Sequence, residues 1–298
     1  MQKNQHAYGL LLCAIGGMAI TLDIPLVKLA SGEAWSVLFV RCVLTLAAGL
    51  VGWVIWRAVD RNAPTLIPGR AGLAVAALYG LGSIGFIVGV YNTSTANLVF
   101  ILALNTTFSA LLSWIFLGER PRLGTIIAMS AMIFGVAIIV WDSFGHGGIV
   151  GDIAAFLSSL FIAAAITISR ASGKEMGMAS LIGVALPLVI AAAMVAKGGY
   201  RIDHPWWIVL NGAIVMPIAF FCLATGPKYI SGAEVAMFYL LETVLAPVWV
   251  WIIFNEVPTR NSLIGGAILI TALVAHSVWQ LTDARRRRDA ISEREYPS

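Results

Sequence analysis

The sequence predicts an all-α integral membrane protein, with ten transmembrane helices arranged as two inverted five-helix repeats around a central cavity. Three observations carry this expectation. Of 298 residues, 59% are hydrophobic and only 11% charged, with a mean hydropathy of +0.89, whereas a soluble domain needs roughly a quarter of its residues charged. The apolar residues fall into ten runs near the ~20 residues a helix needs to cross the hydrocarbon layer. One run also returns as a second copy. Asn97–Arg122 and Glu234–Arg260 align Leu104 with Leu241, Thr106 with Thr243, Trp114 with Trp251, Glu119 with Glu256 and Pro121 with Pro258, each pair 137 positions apart.

In chain order the expected spans are Tyr8–Ala30, Trp35–Arg57, Arg70–Tyr91, Thr95–Leu117, Arg122–Trp141, Gly151–Arg170, Met178–Lys197, Trp206–Gly226, Gly232–Phe254 and Arg260–Leu281. The first is membrane-length and lacks a small-residue cleavage site, so it is expected to stay as a helix. The loops are too short to hold a soluble domain. The duplication divides the chain into a first five-helix repeat, 1–145, a second, 146–281, and a basic tail, 282–298, expected to be solvated and disordered. Tyr8, Trp35, Trp56, Trp141, Trp206, Trp207 and Trp279 fall at span ends, as interfacial anchors do. Gly80, Gly82, Gly85 and Gly89 predict close helix packing along the third span.

Lysine and arginine in the loops set the orientation. Fourteen of the 19 fall on one side: Lys3, Arg57, Arg61, Arg70, Arg120, Arg122, Arg170, Lys174, Lys228, Arg285–Arg288 and Arg294. Only Lys28, Lys197, Arg201 and Arg260 fall on the other, and Arg41 lies within a span. The expectation is a multi-pass protein of the cell (inner) membrane with both termini cytoplasmic. The net charge of +4 sits in loops and tail, so it bears on the bilayer and not on nucleic acid. An odd number of spans per half inverts the second copy, so the Glu119 turn and its echo at Glu256 face opposite sides. Gly9 and Lys28 echo in Gly151 and Arg170, 142 positions on. Inverted repeats around a midplane site allow that site to open to either face in turn.

A charge at mid-span costs ~2.5–3.5 kcal/mol on the insertion scale, so intramembrane polar residues are the candidates for function. Glu242 is at the midpoint of the ninth span and its repeat equivalent Asn105 at the midpoint of the fourth. Tyr239 and Phe238 share the Glu242 helix face, which suits an amphiphilic ligand with a positive group; the carboxyl could also carry a proton. The plainer alternative is a glutamate bonded to a neighbouring helix. Asp23, just past the centre of the first span and followed by Pro25, is a candidate for ligand or proton contact, or for a structural pair with Arg41. Tyr79, Ser83 and Phe86 line one face of the third span, as cavity wall or as packing. Asn97, Asn105 and Thr106 give the fourth span a polar seam. Pro187, Pro217 and Pro247 predict kinks in the seventh, eighth and ninth spans.

Cys13, Cys42 and Cys222 lie in apolar runs without disulfide or metal-ligand spacing, and no metal or cofactor is expected. Metal-protease, nucleophile-elbow, Walker and potassium-filter motifs are all missing. An intramembrane enzyme would have only Asp23 and Glu242 for its carboxylates, and a passive channel should show a repeated polar ring. Both readings remain beside that of a gradient-driven transporter, expected to be a monomer.

LLSWIFLGERP in the fourth span, its echo VWVWIIFNEVP, the Gly151-Asp152 start of the sixth span and Arg41 together resemble the EamA-type drug/metabolite transporter superfamily. The resemblance runs from about Gly9 to Leu281 and is similar to that superfamily's exporters of aromatic amino acids and related compounds. It implies ten spans, a five-plus-five inverted fold, and a cavity lined by spans one, three, four, six, eight and nine. It also implies export from the cytoplasm of an amino acid or related metabolite, with Glu242, Tyr239, Asn105, Tyr79, Asp23, Ser83 and Phe238 at the site and protons as a candidate coupling ion. The family often has proline where Thr106 and Thr243 stand, so the helix break there is expected to be softer, or moved to Pro247 in the second copy. Glu119 and Glu256 are expected to cap their turns and not to touch substrate.

Overall fold

The computed structural model describes residues 2–59, 65–146, 148–174, 176–225, 229–230 and 232–295. Arg61 and Lys228, two of the residues used for orientation, lie outside them. The described chain is helical: α1 (Gln2–Ile20), α2 (Asp23–Leu29), α3 (Ala34–Val59), α4 (Gly69–Asn92), α5 (Thr95–Leu102), α6 (Asn105–Leu117), α7 (Leu123–His146), α8 (Ile149–Ser172), α9 (Gly177–Ile182), α10 (Ala185–Gly198), α11 (Pro205–Leu210), α12 (Met216–Thr225), α13 (Gly232–Phe254) and α14 (Arg260–Glu295). Among the described residues nine stretches are long and apolar enough to cross a membrane, and Phe238–Phe254 in α13 is a shorter apolar helix.

Several spans are interrupted, each for a local reason. The first breaks between α1 and α2, where Pro25 has no N–H to give the Thr21 carbonyl. The seventh breaks between α9 and α10, four residues before Pro187, and the Leu186 N–H reaches the Gly183 carbonyl instead, at 3.3 Å. In the eighth, α11 passes through a π-helical turn, Asn211–Val215, into α12 just before Pro217. The Thr45 hydroxyl takes the Gly212 carbonyl there at 3.3 Å.

The fourth span corrects an expectation. It breaks at Ala103-Leu104 without a proline. The Leu102 carbonyl accepts the Ser159 hydroxyl of α8 at 3.2 Å, and Thr106 Oγ1 donates to the Ala103 carbonyl at 3.0 Å, so side chains replace the ladder. Conversely, α13 runs unbroken through Pro247. The tail differs too: the last helix continues through the basic run to Glu295. No proline falls between Arg260 and Glu295 to stop it.

Glycine permits the tightest crossings. A Cβ on Gly85 of α4 would lie 2.7 Å from the Ala154 carbonyl of α8, as the small-residue spacing anticipates. The buried core leans to one end of the bundle: Val27, Ala30, Val37, Leu38, Val90 and Leu98 are each within a turn or two of it and almost wholly buried. At that end Gly32 bridges Ile202, the Glu33 N–H donates to the Arg201 carbonyl, and Thr93 donates to Asp152 at 2.5 Å.

Candidate functional site

The structure brings Glu242 within electrostatic reach of Asp23 and Tyr239, and Tyr239 within reach of Tyr79. Glu242 lies near the middle of α13, half-buried, and its carboxyl makes no hydrogen bond or ion pair among the described residues. Asp23 and Arg41 are within electrostatic reach of it. Tyr239, one turn away, leaves 43% of its surface open, with Tyr79, Glu242 and Cys13 in reach. The groups near it thus come from α1, α4 and α13. Along α4, half-buried Ser83 follows Tyr79, and then comes buried Phe86.

Phe86 lies beneath the Arg41 guanidinium, 4.9 Å from the ring centroid. Arg41 Nη2 donates to Asp23 Oδ2 at 2.7 Å, and Asn211 Nδ2 donates to Asp23 Oδ1 at 2.7 Å. All three residues are buried: Asp23 is 3% exposed, Arg41 7% and Asn211 0%. Both carboxylate oxygens of Asp23 are therefore engaged, while Arg41 Nη1 and Asn211 Oδ1 are buried without a hydrogen-bond partner among the described residues. The break after Ile20 places Asp23 at the start of α2, and the π-helical turn presents Asn211 to it. A carboxylate at this depth is tolerable because a cation and an amide hold it.

Two sequence-expected site residues stand apart. Phe238 packs with Cys13 and Ile230 on one side and with Ile20, Ala219 and Leu223 on the other. Asn105 opens α6, half-buried, and no described hydrogen bond or ion pair joins it to Glu242. Asn211 was not among the sequence candidates; its signal was a lone amide in an apolar run, ahead of Pro217. Ser159 and Thr21 were also missed. The Thr21 hydroxyl accepts from Trp249 Nε1 at 3.2 Å, tying the first break to α13. Among the described residues no group of histidine, cysteine and acidic side chains could hold a metal.

The paired turns cap helices. Gly118 and its repeat equivalent Asn255 both adopt left-handed backbone, φ +70° and +54°, and close their helices on the carbonyls of Trp114 and Trp251. Glycine carries no penalty there and asparagine a small one. Glu256 accepts from the Thr95 N–H at 2.6 Å, capping α5, and pairs with Lys28. Glu119 pairs with Arg170 at 2.8 Å, and Arg170 also donates to Ser113 at 3.2 Å. Glu256 therefore meets the N-terminal end of the fourth span, and Glu119 follows its C-terminal end.

The family model described as EamA-like transporter family matches residues 7–141 and again 149–277. The chain belongs to the EamA-like transporter family. This family member is a multi-pass membrane protein, consistent with its nine described membrane-length stretches. It is 24% identical to an uncharacterized transporter of the cyanobacterium Synechocystis, over 66% of this chain and 61% of that protein, so the chain spans about three-fifths of that relative's length. A solved crystal structure shares the fold of this chain with a TM-score of 0.63 at 16% identity, covering 91% of this chain and 98% of that one.

Proposed function

We propose that this EamA-family protein is a secondary transporter that exports an amino acid or similar small metabolite across the cytoplasmic membrane by alternating access. The observation that carries the proposal is the Glu242 carboxyl, mid-helix and without a hydrogen-bonding partner among the described residues, beside the aromatic surface of Tyr239 and Tyr79. A mid-membrane acid is costly unless function keeps it. Glu242 would take the ammonium of the solute, the tyrosines its apolar part, and the unpartnered Nη1 of Arg41 its carboxylate. Aromatic amino acids are the first substrates proposed, from the sequence likeness to the exporter YddG. Asp23 serves as the frame that fixes Arg41 and Asn211.

Ten spans in two inverted halves form the proposed architecture. It is supported by the two successive family matches, by the like caps at Gly118 and Asn255, and by Glu119 and Glu256 lying at opposite ends of the fourth span. With the basic loops inside, the Glu256 end faces outward, and its buried core is what a closed outer gate would present. The intramembrane-enzyme alternative loses ground because both Asp23 oxygens are bound by Arg41 and Asn211, which leaves Glu242 without a carboxylate partner for acid–base work.

The test is flux of labelled aromatic amino acids through purified protein in liposomes, with and without a pH gradient. Glu242→Gln is expected to cut the flux at least tenfold. Near-wild-type flux in that variant would remove Glu242 from the site, and hydrolytic activity without flux would favour the enzyme.

A further inference from the structure

Lys28 and Arg170 are equivalent positions of the two repeats, as are Glu119 and Glu256. The structure joins them crosswise. Lys28 of the first half pairs with Glu256 of the second, and Arg170 of the second half pairs with Glu119 of the first. The same ion pair is thus built twice between the halves, once at each end of the fourth span. That span, Thr95–Leu117, has 23 residues, which at 1.5 Å per residue separates the two pairs by about 35 Å. We propose that the two ion pairs are the ends of one reciprocal lock, each closing one face of the membrane, and that a transport cycle opens them in alternation. The inference rests on the alternating-access reading above.

The two locks are unequally built in this structure. Glu256 accepts from Lys28 and from both the N–H and the hydroxyl of Thr95, and the Lys28 and Glu256 side chains are 19% and 28% exposed. Glu119 accepts from Arg170 alone among the described side chains, and both partners are about half exposed, 52% and 51%. An exposed pair adds little against solvent screening, whereas a part-buried carboxylate at a helix N-terminus gains from the helix dipole and the backbone donor. The Glu256 end is the firmly held one, and it is also where the apolar core concentrates. The break at Ala103-Leu104 lies between the two locks, so the two halves of the fourth span can move separately as one lock opens and the other closes. Two static caps would pair crosswise in the same way, so what distinguishes the lock is that losing one pair shifts access to the cavity.

The test reads access to the cavity and needs no substrate. The native cysteines are buried, so Ser83→Cys, on the half-buried face of α4, serves as reporter for a membrane-impermeant maleimide applied to one face of sealed vesicles at a time. Lys28→Ala and Glu256→Gln are each expected to raise labelling from the Glu256 face at least fivefold and to lower it from the opposite face. Lys28→Arg, which copies the other lock, is expected to keep wild-type rates, and Glu119→Gln to leave the Glu256-face rate at its floor. Wild-type labelling from both faces in folded Lys28→Ala and Glu256→Gln protein overturns the lock, even if wild-type protein transports amino acids. Shifted labelling in protein that moves no amino acid upholds the lock and counts against the substrate reading instead.

Discussion

Replacing Asp23 by alanine tests whether the centre of this bundle is organised as described. The substitution removes the acceptor for two hydrogen bonds of 2.7 Å, from Arg41 and from Asn211, in a cluster less than a tenth exposed. Arg41 would keep its charge with the Phe86 ring and the Met216 sulfur as its remaining contacts among the described residues, and with Glu242 in electrostatic reach. Leaving one member of a buried pair uncompensated costs ~3–5 kcal/mol, which for a chain of this size lowers the melting temperature by on the order of 10 °C. Cys13, Cys42 and Cys222 are buried thiols outside any disulfide, so a thiol-reactive dye reports unfolding of the detergent-purified protein directly. The double variant Asp23→Leu, Arg41→Met is expected to recover most of the loss, because both desolvation penalties leave together. A single variant melting within about 2 °C of wild type, or a double variant less stable than the single, would refute the assignment.

Helix crossings and breaks make two further predictions. A Cβ on Gly265 would lie 2.4 Å from the Gly135 carbonyl, while one on Gly52 meets nothing within 4 Å; Gly265→Ala is expected to cost ~1–3 kcal/mol and Gly52→Ala to be neutral or stabilising by up to ~1 kcal/mol, both read by the same dye melt. Ser159→Ala removes the hydroxyl that holds the Leu102 carbonyl and is expected to cost ~0.5–1.5 kcal/mol; amide hydrogen exchange at residues 103–107 should slow as the helical ladder closes, and unchanged exchange would assign the break to another cause.

Composition and period made the helices legible, because a backbone in lipid must bond to itself and ~20 apolar residues announce that requirement. The duplicated turn was legible because Trp, Glu and Pro in one register are rare among apolar residues, and Asn255 repeats the left-handed backbone of Gly118. The candidate site was legible only where a residue type is costly. Glu242, Asp23 and Arg41 stood out by charge, whereas Asn211 and Ser159, cheap and small, act through the particular neighbour each meets. That neighbour is set by helix crossing, which periodicity does not encode. The tail was misjudged because its charge suggested disorder, while its helix simply prolongs α14 past the apolar stretch.

The same limit accounts for the unequal breaks. The offset of 142 that relates Gly9 to Gly151 relates Gly17 to Ser159. Ser159 of α8 offers a hydroxyl to the fourth span at Leu102, and α5 ends there. Gly17 of α1 makes the corresponding approach to α13, where a Cβ would lie 2.8 Å from the Phe238 carbonyl. With no hydroxyl to offer, Gly17 allows the closer approach, and α13 continues as one helix past Glu242 even though Pro247 withholds an N–H from the Thr243 carbonyl. One serine in place of one glycine thus gives the first half a jointed helix and the second a continuous one that carries the acid.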